Sequence, residues 1–345
     1  MKLLFIVFGL LFILTFQPCS GQEAPEKNEF SFMFYNAENF FDCENDSLTN
    51  DNEFTPDAER RWNFRRLHAK VDRIAKVILA AGKWNPPVFV GLCEVENLRV
   101  LELLTESAPL KKYNYKIVQK DSPDERGIDV AFIYRPELFR PLDYQAIPVA
   151  DPTDKLFKTR DILQVSGVLN NCDTLYVFVN HWSSRYGGMM ETMRYRRLAA
   201  ETLRKAVQSI LSGFPQAKII CMGDFNDSPT DDSLTRVFGA KKLNNPEIKG
   251  EMINLSFGWL SNPIQTIKNQ YVWETFDQWI VSDYFLASMV CGKFLKAEIF
   301  AEGFLLEPDV RFGGVKPKRT YIGFKYHEGF SDHLPVLLRF QLLNH

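Results

Sequence analysis

The stretch Lys218-Ile-Ile-Cys-Met-Gly-Asp-Phe-Asn-Asp-Ser-Pro229 carries residue types that could do chemistry. Its apolar, β-branched run reads as a buried strand, and Gly223 reads as the point where the backbone turns. Asp224 and Asn226 follow at once, with Pro229 against easy continuation of the strand. A carboxylate and a carboxamide two residues apart, fixed by a strand end, can aim at one point. One group can then take a proton while the other donates to an oxyanion. Taken alone, the pattern is equally a Gly-Asp turn with Asx capping.

Other strand-like runs end in polar groups of the same kind. Phe30 to Asn39 ends in Asn36, Glu38 and Asn39, and Val88 to Glu96 carries Glu94 towards its end. Thr174 to Val179 runs into Asn180-His181, Trp273 to Ser282 holds Asp277, and Phe330 to Phe340 holds Asp332 and His333. If these ends share one rim of packed sheets, the groups converge on one cleft. The set is rich in hard oxygen donors and includes His181 and His333, which suits Mg²⁺ or Mn²⁺ better than a closed zinc site.

The remaining pattern supplies elements to hold those strands. Helical spacing of Leu67, Val71, Ile74, Ala75, Ile78 and Leu79 predicts a helix over Asp57 to Ala81, and a second strong helix is expected over Glu191 to Leu211. A short helix is expected over Leu98 to Ala108, and strands over Tyr115 to Gln119 and Ile128 to Tyr134. Asn170-Asn-Cys-Asp173 between two apolar runs is a hairpin signal. Phe40 to Pro56 reads as an acidic surface loop, and Leu243 to Tyr271 gives little pattern.

With 345 residues, 46% of them hydrophobic, the chain can bury a large core. A formal net charge of −2 provides no global basic field, which argues against tight, sequence-independent DNA binding but leaves room for a local phosphate site. Met1 to Gly21 has the charged start, short apolar run and small residues of a cleaved export signal, with no stable membrane span after processing. The chain is therefore expected outside the cytoplasm, periplasmic or extracellular. A lipid anchor on Cys19 is the alternative, disfavoured by Pro18. Residues 22–29 read as a linker and 30–345 as one catalytic domain. Beyond Cys19 there are five cysteines, an odd number, so at least one is unpaired or pairs between chains.

The motifs Tyr35-Asn-Ala-Glu-Asn39, Gly91-Leu-Cys-Glu-Val-Glu96, Asn180-His181, Gly223-Asp-Phe-Asn226, Asp277-Gln278 and Ser331-Asp-His333 span most of the chain. In that order they resemble the endonuclease/exonuclease/phosphatase superfamily, which includes pancreatic deoxyribonuclease, abasic-site endonucleases, inositol-polyphosphate phosphatases and neutral sphingomyelinases. The resemblance implies an α/β fold, a four-layer α/β sandwich of two mixed β-sheets packed face to face with helices outside. It also implies divalent-metal-dependent phosphoester hydrolysis, with Mg²⁺, Mn²⁺ or Ca²⁺ as cofactor.

Carried over residue by residue, Glu94 would be the main metal carboxylate with Asn36 beside it, Asp332 near the metal, and Glu38 reaching it directly or through water. Asp224 would activate or orient the attacking water, and Asn226 would position it or a phosphoryl oxygen. His333, oriented by Asp277, would contact the phosphoryl group, and His181 would bind another of its oxygens. Such a division lets metal and imidazoles offset growing charge while a carboxylate handles the proton.

Other residues stay open. Arg126 and Asp129 form either an ion pair or part of a substrate site. Arg185, Arg194 and Arg197 flank the Gly187-Gly188 loop, Lys316-Pro-Lys-Arg319 reads as exposed loop, and Trp182 and Tyr186 serve either a groove or the core. The expected activity is a nuclease-like phosphodiesterase acting on a phosphoester partner, nucleic acid among the candidates. The alternatives are hydrolysis of small or lipid-borne phosphoesters and, last, a non-catalytic binding module. The oligomeric state is left open, a monomer being compatible with it.

Overall fold

The computed structural model describes residues 29–83, 85–243 and 250–343. The expected export signal, Cys19 and most of the linker lie outside those residues. β1 (Glu29–Phe40) is followed by α1 (Phe64–Ala81) and β2 (Phe89–Val95), which lies parallel to β1. Next come α2 (Leu98–Thr105), α3 (Ala108–Lys111), β3 (Lys116–Gln119), β4 (Asp129–Tyr134), β5 (Phe139–Ile147), β6 (Ile162–Leu169) and β7 (Asp173–His181). α4 (Met189–Gly213) crosses to β8 (Lys218–Asp224), parallel to β7.

β9 (Lys241–Lys242) and β10 (Met252–Asn254) precede a small hairpin, β11 (Ile267–Asn269) with β12 (Val272–Glu274). β13 (Asp277–Ser282), α5 (Asp283–Ala287) and β14 (Gly292–Ile299) follow. Two further small pairs, β15 (Leu306–Pro308) with β16 (Val315–Pro317) and β17 (Tyr321–Ile322) with β18 (Lys325–Tyr326), precede β19 (Val336–Leu342).

Six strands form one mixed sheet in the order β14-β19-β1-β2-β4-β3, and seven form another in the order β5-β6-β7-β8-β13-β10-β9. The alternating side chains of β1 show how the layers stack. Phe30, Phe32 and Phe34 face the interior between the sheets, where Phe32 stacks on Phe89 with centroids 4.0 Å apart. Met33, Tyr35 and Ala37 point to the other face and pack with Leu67, Val71 and Ile74 of α1. β8 repeats the arrangement, with Ile220 and Met222 inward and Ile219 and Cys221 outward against Ala200 and Leu203 of α4. Helix, sheet, sheet and helix are thus four layers. Each buried Phe or Ile contributes about 1.5–3 kcal/mol over its exposed state.

Topology puts the polar strand ends together. The parallel pairs β1–β2 and β7–β8 are each joined by a crossover helix, α1 and α4, so both members of a pair end on the same side. Sheets wound this way leave their binding crevice outside the carboxyl ends of the strands. β13 runs antiparallel to β8 with Asp277 opposite Asp224, and β19 runs antiparallel to β1 with Phe34 opposite Val336. The start of β13 and the loop before β19 therefore reach the same rim.

Several expectations need correction. α1 starts at Phe64, not Asp57, because Asn63 caps it by accepting the Arg66 N–H. Phe40 to Pro56 is not all surface: Phe40, Phe41, Cys43 and Phe54 are buried, and Phe41 stacks on Phe54. The 273–282 run is split into β12 and β13, and the last strand begins at Val336 rather than Phe330. Edge strands β5 and β14 gave no strand signal because their exposed residues dilute the alternation.

Gly223 does not turn the chain. The strand continues to Asp224, and a Cβ at Gly223 would lie 2.3 Å from the Asn180 carbonyl oxygen. The glycine permits close approach of β7 and β8. The left-handed residue is Asn226, at φ 50°.

Candidate active site

The site begins with two irregularities in the central strands. β1 pairs regularly with β2 as far as Asn36, then shifts register before Phe40, with Glu38 and Asn39 at φ 49° and 52°. β2 shifts against β4 between Cys93 and Val95, with Glu94 at φ 57°. Bulges of this kind re-aim side chains at a sheet rim, at a cost in backbone strain that persists where surrounding contacts hold it. Glu94 is held by the Asn39 N–H, 2.9 Å from Oε2, and by Asn36 Nδ2, 3.2 Å from Oε1.

Asp224 is the hub. Its Oδ2 accepts from Asn36 Nδ2 at 3.1 Å and its Oδ1 from the Asn226 N–H at 2.9 Å. His181 Nε2 and His333 Nε2 approach Oδ2 to 3.8 and 3.7 Å, beyond hydrogen-bond length but close enough for charge to matter. Asp277 Oδ2 lies 2.7 Å from His333 Nδ1, and Asp224, Asp277 and His333 present ligand atoms all within 4.8 Å of one another. Ser331 clamps the histidine: its hydroxyl donates to Asn36 O and accepts the His333 N–H.

The electrostatics divide the two histidines. Burial opposes charge on His333, but the Asp277 and Asp224 carboxylates outweigh it and raise its pKa well above the usual value. His181 is driven the other way, first by burial and then by Arg160, Arg126 and His333, so it is held neutral. Burial pushes Asp224 up to about 7, with His333 opposing and Asp277 and Glu94 adding to the rise. A carboxylate poised near neutrality beside an imidazolium is suited to exchanging a proton.

The remaining site residues sit differently. Asn226 turns its Nδ2 to the Trp182 carbonyl at 3.0 Å, which braces the loop after His181. Glu38 and Asp332 face Arg319, which donates to Glu38 Oε1 at 3.1 Å and to Asp332 Oδ2 at 2.7 Å. Burial and Asp332 push Glu38 up to about 7, against Lys70 and Arg319. For Asp332 burial is outweighed by Arg319, His333 and Lys70, and its pKa falls. The Asn36 amide donates to both Glu94 and Asp224 while its Oδ1 accepts the Glu38 N–H at 2.9 Å. As oriented here, its carbonyl faces the backbone.

Among the described residues the buried Asp277 Oδ1 and His181 Nδ1 have no hydrogen-bond partner. The carboxylates of Glu94 and Asp224, joined through the Asn36 amide, are donors of the type a hard divalent cation takes. The residues fit such an ion.

The pattern of the chain concealed three cationic residues. Arg319 lay in a charge run that reads as exposed loop, yet it bridges two carboxylates. Arg160 holds the carbonyls of His181 and Trp182 and pairs with Asp124. Fully buried Lys70 donates to Thr320 Oγ1 and Phe330 O, both at 2.6 Å. Of the open residues, Arg126 does not pair with Asp129. It contacts Asn39 Oδ1 and lies 4.0 Å from Glu94 Oε2, while Asp129 accepts from Ser122 and Gln119. Arg185 joins Asn226 O, Glu274, Asp227 and Asp231, Trp182 is core, and Tyr186 is exposed.

The family model described as Endonuclease/Exonuclease/phosphatase family matches residues 31–342, and the chain belongs to that family. Its members are hydrolases of nuclease-like and phosphoesterase type. Solved structures with the same fold include a humanized D. rerio TDP2, at 15% identity and a TM-score of 0.55 over 91% of this chain and 99% of that one. An endonuclease/exonuclease/phosphatase family protein from Bacteroides thetaiotaomicron is 15% identical, with a TM-score of 0.55 over 92% and 99% of the two chains. The human nocturnin catalytic domain with bound sulfate is 16% identical, with a TM-score of 0.52 over 91% and 95%. No curated protein matches by sequence.

Proposed function

We propose that the chain is an exported, divalent-metal-dependent phosphodiesterase of nuclease type. The observation that carries the reading is the buried Asp277–His333–Asp224 cluster, with Glu94 and His181 on the same rim. In this reading Asp224 Oδ2 takes the proton of the attacking water. Asp277 holds His333 as an imidazolium whose Nε2 donates to a phosphoryl oxygen, and neutral His181 binds another. Glu94, with Asn36 beside it, would hold the cation, which when bound offsets charge on the phosphoryl oxygens. Arg319 binds Glu38 and Asp332, so these two act on the site through their ion pairs rather than from open positions.

A D. rerio TDP2 of the same fold has been solved with a single-strand DNA product, which supports a nucleic-acid substrate here. The mild net charge of −2, with no basic stripe in the chain, favours a second reading, hydrolysis of small or lipid-borne phosphoesters. The test is a panel of plasmid DNA, single-stranded oligonucleotides, inositol phosphates and sphingomyelin, each with Mg²⁺, Mn²⁺ or Ca²⁺ and again in excess chelator. Turnover that chelation abolishes and metal restores is expected. Full activity in chelator removes the metal role, and no hydrolysis of any phosphoester removes the enzyme reading. Export is tested by the N-terminal mass of the secreted protein, expected to begin at Gln22; an acylated Cys19 would select the anchor instead.

A further inference from the structure

A second cluster lies at the far end of the sandwich. β7 carries His181 at its C-terminal end, and Cys172 immediately precedes its N-terminal end, so the cluster is separated from the site by the length of that strand. Cys172 sits in the β6–β7 turn, made tight by Asn170 and Asn171 at φ 45° and 57°. Its Sγ, the Sγ of Cys291 and a carboxylate oxygen of Asp173 are mutually within 4.8 Å. Cys172 is exposed, whereas Cys291 is buried in the segment between α5 and β14.

The carboxylate argues against a metal at this place. Asp173 Oδ2 already accepts from Val290 N–H at 2.8 Å, Cys291 N–H at 2.9 Å and Cys291 Sγ at 2.9 Å. Its other oxygen faces the Lys218 ammonium at 2.9 Å, a charge that repels a cation. Two thiols remain as the reactive groups, one accessible and one anchored.

We propose that Cys172 and Cys291 form a disulfide that ties the β6–β7 turn of the seven-stranded sheet to the start of β14 in the six-stranded sheet. The two sulfurs lie within 4.8 Å of each other, and rotation of the exposed Cys172 side chain is the motion by which they would close to the bonding distance of about 2.0 Å. The oxidant is a disulfide, of protein or of small thiol. The Cys172 thiolate attacks one of its sulfurs and expels the first thiol, leaving a mixed disulfide. Cys291 sulfur, giving up its proton, then attacks the Cys172 sulfur, and the second thiol leaves. The protein loses two electrons and two protons, and the oxidant becomes two thiols.

The order of attack follows from the surroundings. Burial raises the Cys291 pKa, and the adjoining Asp173 carboxylate raises it further, so Cys291 is a poor initial nucleophile. Cys43, Cys93 and Cys221 are buried elsewhere in the core. This pair therefore leaves three of the five cysteines as thiols.

The experiment exposes the purified full chain to oxidised glutathione and maps thiols by alkylation and peptide mass. A peptide joining residues 172 and 291 is expected, with the protein lighter by two hydrogens. The unfolding temperature should rise by roughly 5 °C because a long loop is closed. Reductant should reverse the rise, and Cys172→Ser, in an exposed turn, should abolish it with turnover unchanged. Alkylation of both cysteines after oxidation, or bridges made only to other cysteines or between chains, would overturn the proposal. Because the readout is a covalent bond, it stands or falls apart from the catalytic reading.

Discussion

His333 Nδ1 meets Asp277 Oδ2 at 2.7 Å with both side chains buried, and His333 Nε2 on the opposite edge of the ring points toward Asp224. The pair has one edge for orientation and one for chemistry. Residues that act as a unit give non-additive losses. His333→Ala and Asp277→Ala should each lower kcat, and the double variant should be little worse than His333→Ala alone. Additive losses would place Asp277 outside the reaction.

Asp224→Asn separates chemistry from turn formation. The amide keeps an oxygen for the Asn226 N–H but cannot take a proton from water. A loss of about 10²–10⁴ in kcat is expected, or roughly 3–5 kcal/mol at about 1.4 kcal/mol per tenfold. KM should move much less. Near-native turnover with an unchanged melting temperature would leave Asp224 as a turn residue only.

Arg319 links Glu38 to Asp332, and Glu38 is itself fixed by the Thr320 N–H at 2.6 Å. Arg319→Gln strands two carboxylates in a confined space. The side chain is partly exposed, so solvent screening reduces the cost to roughly 1–2 kcal/mol. Urea denaturation should show a lower midpoint, with Arg319→Lys recovering part of it. An unchanged midpoint in Arg319→Gln would make the ion pairs incidental.

Asp129, packed beside the strand that carries Glu94, supplies a pH test of stability. Burial pushes its carboxyl up to about 7 despite hydrogen bonds from Ser122 and Gln119. A raised folded pKa means the stabilisation is complete below the unfolded value and is lost as pH rises through about 7. Wild-type stability should therefore fall between pH 5 and 8 by an amount on the order of 1–3 kcal/mol. Asp129→Asn should make that slope shallower, the raised Glu38 and Asp224 carboxyls keeping part of it; identical slopes in the two proteins would refute the shift.

Local pattern determined the parts of this protein that repeat locally. The buried strands β1, β2, β4, β7 and β8 were legible because apolar, β-branched and aromatic runs have few other homes. α4 was legible from its 3.6-residue period, and the β6–β7 turn from its paired asparagines. The order of motifs along the chain likewise carried the family, because most of the motifs are strand ends with their polar caps, Ser331-Asp-His333 lying in the loop before β19.

Tertiary structure alone decided which of those caps face one another. Opposition of Asp277 and Asp224 is a matter of β13–β8 register, and a slip of one residue would turn Asp277 to the other face. The bulges that aim Glu38 and Glu94, the left-handed Asn226 and the contact Gly223 makes with Asn180 depend on neighbouring strands that no local window contains. Arg319 is the plainest case: beside Lys316 and Lys318 it looks like solvated charge, and only the fold brings Glu38, far away in sequence, within 3.1 Å of it.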